Sequence, residues 1–196
     1  MPSVSTILNA TKPPEARERL AKWRDRLGAE EATRVATTAS RRGSMTHKQI
    51  KRFLAGEKPE CPEPARPYWN SIAPVLAEIQ EVKLLEQPVF HYEMGYAGKV
   101  DCVASYQDVP CVCDWKTADA PKGSVERLYD APLQLAAYCG AVNHFCGGQG
   151  IAVRQAMVVV AVADQPAEVF WFEPERMLEY WKEWELRVEA FYRRFG

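Results

Sequence analysis

Asp114-Trp115-Lys116 is the tripeptide of this chain best equipped for chemistry. It follows the apolar run Pro110-Cys111-Val112-Cys113, which reads as an interior strand. Side chains alternate along a strand, so Asp114 and Lys116 project to one side and Trp115 to the other. A carboxylate binds a hard cation through oxygen. A neighbouring lysine can orient or deprotonate an attacking water, or stabilise charge growing on a phosphate. The Trp115 carbonyl, between the two, is a further candidate oxygen ligand. The combination suits hydrolysis of phosphate esters. The plain alternative is an ion pair at a strand edge, and the apolar run before Asp114 argues against it.

Asp101 follows Gly98 and Lys99 at the end of the preceding strand. A hairpin brings such positions together, and two carboxylates sharing one site repel each other unless a cation lies between them. The pair therefore predicts a metal, and Mg2+ suits one or two carboxylates with waters and substrate oxygens, with Mn2+ as the alternative. His47 shares a helical face with Ile50 and Leu54. By itself that pattern describes a packed core histidine. Gln134 and Tyr138 lie one helical turn apart on one face, either as participants in the site or as a cap and a core aromatic.

These residues need elements to hold them. Ser3 to Leu8 is short and Ser/Thr-rich, and Pro13-Pro14 breaks the chain. Glu15 to about Ala39 reads as helix, with Gly28 ending or kinking it. Gly43 precedes a second helix, roughly Ser44 to Ala55. A Pro-rich connection follows at 56–67, and helical periodicity resumes over Tyr68 to Val82 with Pro74 at an early turn or kink. Strands are predicted around Val89 to Tyr92, Tyr96 to Ser105 and Val109 to Trp115, spaced as an antiparallel meander. A polar loop, Pro121 to Asp130, leads to a helix from Pro132 to about Phe145. Ala156 to Ala163 reads as a central strand and Val169 to Phe172 as its partner. Pro174 to Arg194 is a long helix whose Met177, Trp181, Trp184, Val188, Phe191 and Phe195 make a core stripe. The order gives an α+β (mixed α/β) layout around a central sheet.

The 196 residues fit a single domain, 1–196, with a helical N-terminal part (1–83) and a sheet with flanking helices (84–196). A net charge of −1 excludes a protein that coats nucleic acid by bulk charge, though not one with a local basic path. The six cysteines include no CxxC pair, so buried free thiols in a reducing compartment are the simplest reading. No apolar stretch approaches ~18 residues, so no membrane span is expected. Met1 to Asn9 does not resemble a secretory signal. These features suit a soluble intracellular protein, in a bacterial or phage-infected cytoplasm.

Four elements, in order, resemble the PD-(D/E)XK nuclease superfamily in its RecB-like branch. They are Gly43-Ser44-Met45-Thr46-His47, Gly98-Lys99-Val100-Asp101, Asp114-Trp115-Lys116-Thr117 and Gln134-Leu135-Ala136-Ala137-Tyr138. Asp101-Cys102-Val103-Ala104, Pro132-Leu133-Gln134 and Val158-Val159-Val160-Ala161 look closer still to the mitochondrial genome maintenance exonucleases with their phage and bacterial relatives.

The resemblance implies a restriction-endonuclease-like mixed sheet flanked by helices. It also implies a Mg2+- or Mn2+-dependent exonuclease that prefers single-stranded DNA. A structure-specific endonuclease on the same fold and a non-catalytic DNA-binding subunit are the alternatives. By resemblance, Asp101 and Asp114 are metal ligands, Lys116 is the catalytic lysine and His47 completes the metal sphere. Gln134 and Tyr138 orient the lysine or contact phosphate, and Thr117 bonds a phosphate or the local backbone. Arg41, Arg42, Lys48, Lys99, Lys122 and Arg127 flank these elements as candidate phosphate contacts. Tyr68 and Trp69 either stack on bases or belong to the core. Two points depart or stay open: Lys51 stands where relatives often carry Glu, and Glu86 is either the acid many relatives place before the first strand or a solvated charge. The cysteines lack the spacing of the iron–sulfur cluster found in some relatives, so none is expected.

Overall fold

The computed structural model describes residues 1–58 and 60–196. Ser3 opens the first helix, its Oγ accepting the Thr6 N–H at 3.1 Å at the cap of α1 (Val4–Ala10). Val4, Ile7 and Leu8 recur at helical spacing and are buried, so the Ser/Thr-rich opening is a packed element. Gly28, at φ +82°, separates α2 (Pro14–Leu27) from α3 (Ala29–Leu54).

The sequence puts a helix start after Gly43, but α3 runs straight through it. Glycine inside a helix costs about 1 kcal/mol, and packing overrides that here. A Cβ at Gly43 would stand 3.9 Å from Thr117 Oγ1, so the helix passes close over that residue.

The Pro-rich connection is shorter than 56–67, and its Pro59 lies outside the described residues. A 3-10 turn at Glu63–Ala65 leads into α4 (Arg66–Leu76), with Pro67 in the first turn where its missing N–H does no harm. The helix read over Tyr68–Val82 therefore stops at Leu76, and Pro74 falls near its end. Extended chain begins at Ile79, so the boundary at 83 moves a few residues earlier.

The remaining elements are β1 (Ile79–His91), β2 (Tyr96–Tyr106), β3 (Val109–Ala118), α5 (Ala131–Cys146), β4 (Gln155–Val162), β5 (Glu168–Phe172) and α6 (Pro174–Phe195). They form one sheet in the order β1-β2-β3-β4-β5. All neighbours are antiparallel except β3 and β4. A parallel pair needs a crossover, which α5 supplies. The fold is α+β, a mixed five-stranded sheet between helical layers.

On one face α1, α5 and α6 bury Ile7, Val112, Leu135, Val158 and Trp184. On the other α3 and α4 bury Ile50, Ile72, Trp115, Met157 and Val159. β4 contributes to both layers, which explains its unbroken apolar run. On α6, Met177, Tyr180, Trp184 and Val188 are buried, and Trp181 and Phe191 pack against the same core, whereas Phe195, expected in the stripe, is exposed at the end of the helix. Among the described residues no helix is long and apolar enough to cross a membrane.

Candidate active site

The site forms at a fork in the sheet. β2 and β3 pair from Tyr106↔Val109 to Cys102↔Cys113, while β3 stays beside β4 as far as Ala118↔Val162. A backbone donor beyond the fork needs another partner. Asp101 supplies it: its Oδ2 accepts the Trp115 N–H at 3.0 Å.

β1 and β2 twist at the same level. Glu86 takes φ +54°, and Leu84 and Val89 pack in the same core layer although they lie five residues apart. Val100 and Val103 do the same on β2. In regular strands an odd separation places residues on opposite faces, so both strands turn over at Glu86 and Asp101. The flanking pairs Leu85↔Cys102 and Gln87↔Val100 set these two acids opposite each other.

His47 reaches the fork from α3. Its Nε2 lies 2.8 Å from the Trp115 carbonyl oxygen. A carbonyl can only accept, so Nε2 carries a proton. Nδ1 faces the acids, 3.7 Å from Glu86 Oε1 and 3.7 Å from Asp101 Oδ2. One ligand atom from each of His47, Glu86 and Asp101 lies within 4.8 Å of the others. Burial, and then the charge of Asp114, pushes the Asp101 carboxyl up to about 6. Lys99 forms an ion pair with Glu86.

Asp114 and Lys116 share the α5 side of β3. Asp114 is buried, and Lys116 Nζ donates to its Oδ1 at 2.9 Å. Nζ is also 2.7 Å from Oδ2 but off the hydrogen-bonding direction, so that buried oxygen has an ionic partner and no hydrogen bond. Lys116 donates to Gln134 Oε1 at 3.1 Å, and Gln134 Nε2 donates to the Tyr138 hydroxyl at 2.9 Å. Burial pulls the lysine's pKa down, but the charge of Asp114 and its hydrogen bond outweigh that and hold it above the usual value. Lys116 is thus an ammonium fixed by two acceptors, suited to orienting a water or stabilising negative charge.

A cleft of about 510 Å³ opens over His47, Glu86 and Asp101 and is rimmed by Lys48, Lys51 and Lys99. The other cations named from the sequence are placed differently. Arg41 is exposed. Arg42 lies over the Tyr68 ring, donates to Thr117 Oγ1 at 3.3 Å and pairs with Asp119, so it is engaged within the protein and holds the Thr117 hydroxyl. Lys122 sits over Tyr129, and Arg127 is exposed in a 3-10 turn at Val125–Leu128. Neither lines the cleft. Tyr68 is buried in the core, and Trp69 packs edge-on against Phe53 at 5.3 Å.

Residues 10–194 match the profile of the PD-(D/E)XK nuclease superfamily. The chain belongs to the PD-(D/E)XK nuclease superfamily. It is 37% identical over 199 residues to mitochondrial genome maintenance exonuclease 1 of Xenopus tropicalis, covering 97% of this chain and 57% of that protein. The human protein of the same name is 32% identical over 200 residues, covering 97% and 58%. The chain thus spans somewhat more than half the length of these relatives. A crystal structure of a candidate exonuclease from Eubacterium rectale superposes with a TM-score of 0.51 at 14% identity, over 78% of this chain and 65% of that one, and shows the fold.

PD-(D/E)XK nucleases use divalent metal ions, and the residues of this chain fit such an ion. The bond from His47 Nε2 to the Trp115 carbonyl orients the ring and turns Nδ1 towards two carboxylates, so three donors converge as the ligands of one cation would. One nitrogen and the carboxylate oxygens make a hard donor set. The buried Asp114 Oδ2, without a hydrogen bond, adds an acceptor beside it. Glu86, left open by the sequence, is one of the three convergent donors, and Asp114 is not among them. Glu86 converges through a left-handed backbone angle that no local pattern announces.

Proposed function

We propose that this chain is a Mg2+- or Mn2+-dependent deoxyribonuclease that degrades single-stranded DNA as an exonuclease. The observation that carries the reading is the join between two groups of residues. Asp101 belongs to the His47–Glu86–Asp101 donor set and also accepts the N–H of Trp115, the residue between Asp114 and Lys116. The donor set is thereby registered to the ammonium through Trp115, whose N–H donates to Asp101 and whose carbonyl accepts from His47. Exonuclease activity and a role in genome maintenance are supported by the names of the relatives, and the single-strand preference by the resemblance of the motifs.

On this reading His47, Glu86 and Asp101 hold the ion, with Asp114 beside them. When bound, a divalent ion there supplies Lewis acidity to a phosphate oxygen and lowers the pKa of water. His47 keeps its orientation through the Trp115 carbonyl. Lys116, held by Asp114 and Gln134, orients the attacking water and offsets charge growing on the phosphate. Lys48 and Lys51 attract the backbone of the strand to the cleft.

Incubation of end-labelled linear single strands with Mg2+ or Mn2+ tests the assignment. Wild type should release small products, and Lys116→Ala should be slower by about 10²–10³-fold. Equal rates would overturn it. Circular single strands should survive, and their linearisation would favour an endonuclease. Calorimetry showing no divalent binding, with or without DNA, would favour a non-catalytic DNA-binding subunit.

A further inference from the structure

Away from the cleft, several rings gather at the far end of β1. Phe90 and Tyr92 stack with centroids 5.8 Å apart and planes 7° from parallel. Phe145, from the last turn of α5, meets Phe90 edge-on at 5.4 Å and Tyr92 at 6.3 Å. Tyr92 is 58% exposed and Phe145 40% exposed, so the cluster is not explained by core packing.

Its position links it to the site. β1 and β3 both run antiparallel to β2, so Phe90 and Thr117 lie towards the same end of the sheet. Phe90 is four residues beyond Glu86, about 13 Å along a strand. Between them Lys99 stands opposite Pro88 and reaches Glu86. Glu86, then Lys99 on the neighbouring strand, then Phe90 therefore follow one another outward along the β1–β2 pair.

The hairpin that carries Phe90 and Tyr92 is held in place. The Tyr192 hydroxyl donates to the Gly95 carbonyl at 2.6 Å, and the Gly95 N–H donates to the His91 carbonyl at 2.8 Å. Rings fixed in this way lose little freedom when a flat partner stacks on them. Unpaired nucleobases are such partners, because every base has a π-face and a single strand leaves it accessible.

We propose that Phe90, Tyr92 and Phe145 form a stacking platform for unpaired bases of a single DNA strand, a few nucleotides from the phosphate that is cut. The proposal rests on the nuclease reading for the identity of the strand.

Fluorescence anisotropy with labelled oligothymidylate in EDTA, where the strand is not cut, tests it. Tyr92→Ala and Phe145→Ala should each raise Kd by about 5- to 160-fold, the range for one lost base stack. Tyr92→Trp should keep the wild-type Kd. An oligonucleotide of abasic residues should weaken wild type by a similar factor and bring wild type and variants together. Melting temperatures close to wild type exclude a folding defect.

Wild-type Kd in both alanine variants would overturn the platform. So would a loss that is equal on intact and abasic strands, since the contact would not be with bases. Self-association of the wild type that Tyr92→Ala abolishes would assign the patch to a second copy of this chain. The nuclease reading fails separately. If wild type cuts no DNA but shows this pattern of binding, the platform stands and the reading falls.

Discussion

At the scale of single residues, the two nitrogens of His47 do different jobs. Nε2 is committed to the Trp115 carbonyl and Nδ1 faces Glu86 and Asp101. If those atoms hold a divalent ion, Mn2+ at a hundredfold over Kd should stabilise the wild type by about 2.7 kcal/mol. In a thermal-shift titration, His47→Ala should need at least about tenfold more ion for the same shift, a typical penalty for weakening a metal site. An unchanged titration would remove His47 from the set. Gln134 supports a separate expectation. It holds Lys116 from the side opposite its own bond to Tyr138, so Gln134→Ala should lower kcat by roughly tenfold through a misplaced ammonium, while KM for the strand stays close to wild type. A rise in KM alone would assign Gln134 to substrate binding. Strand alternation made Asp114 and Lys116 legible as a pair in the sequence. Glu86 was not legible in that way, because its φ of +54° decides where it points. Arg42 is a candidate phosphate contact by its place in the sequence, but Tyr68, Thr117 and Asp119, all distant in sequence, engage it within the protein.

At the scale of elements, the site depends on how closely α5 lies on β2. Gly98 allows that approach, since a Cβ there would stand 2.5 Å from Tyr138 Cε1 and 3.2 Å from Val4 Cγ2. Its role is to leave room, as its φ is not in the left-handed region. Gly98→Ala should displace Tyr138 and, through Gln134, loosen Lys116. Overpacking of this kind costs about 1–3 kcal/mol, so the melting temperature should drop by several degrees and cleavage should slow. A variant as stable and active as wild type would show that the tyrosine can step aside. Element types were largely readable from periodicity, as in β4, α5 and α6. Two boundaries fall elsewhere than local pattern indicates, both because of tertiary contacts. Gly43 resembled a helix start because its propensity is poor, yet packing over Thr117 carries α3 through it. Tyr68 to Val82 resembled one long helix because the apolar spacing continued, yet β2 draws the chain into strand from Ile79.

At the scale of the whole molecule, residues far apart in sequence hold α5 in place, and no local pattern could reveal this. Arg187 on α6 donates to Leu8 O at 2.9 Å and Thr11 Oγ1 at 2.6 Å, and lies 3.7 Å from Asp130 Oδ1. Leu8 and Thr11 belong to the end of α1. Asp130 precedes α5, and its carbonyl accepts the N–H of Gln134 at 2.9 Å. One buried guanidinium therefore joins α1, α6 and the start of the helix that positions Lys116. Arg187→Met keeps much of the side-chain volume but leaves the Leu8 carbonyl and Thr11 hydroxyl without this donor. Lost hydrogen bonds to a charged group cost about 1.5–3 kcal/mol, and a chain of this size loses roughly 2–4 °C of melting temperature per kcal/mol. Arg187→Met should therefore melt several degrees below wild type. Well below that temperature its kcat should stay near wild type, because Lys116 keeps its own bonds to Asp114 and Gln134. Calorimetry paired with single-strand cleavage at low temperature checks both halves. A large loss of kcat with the melting temperature preserved would mean that Arg187 shapes the site itself rather than clamping the helices that carry it.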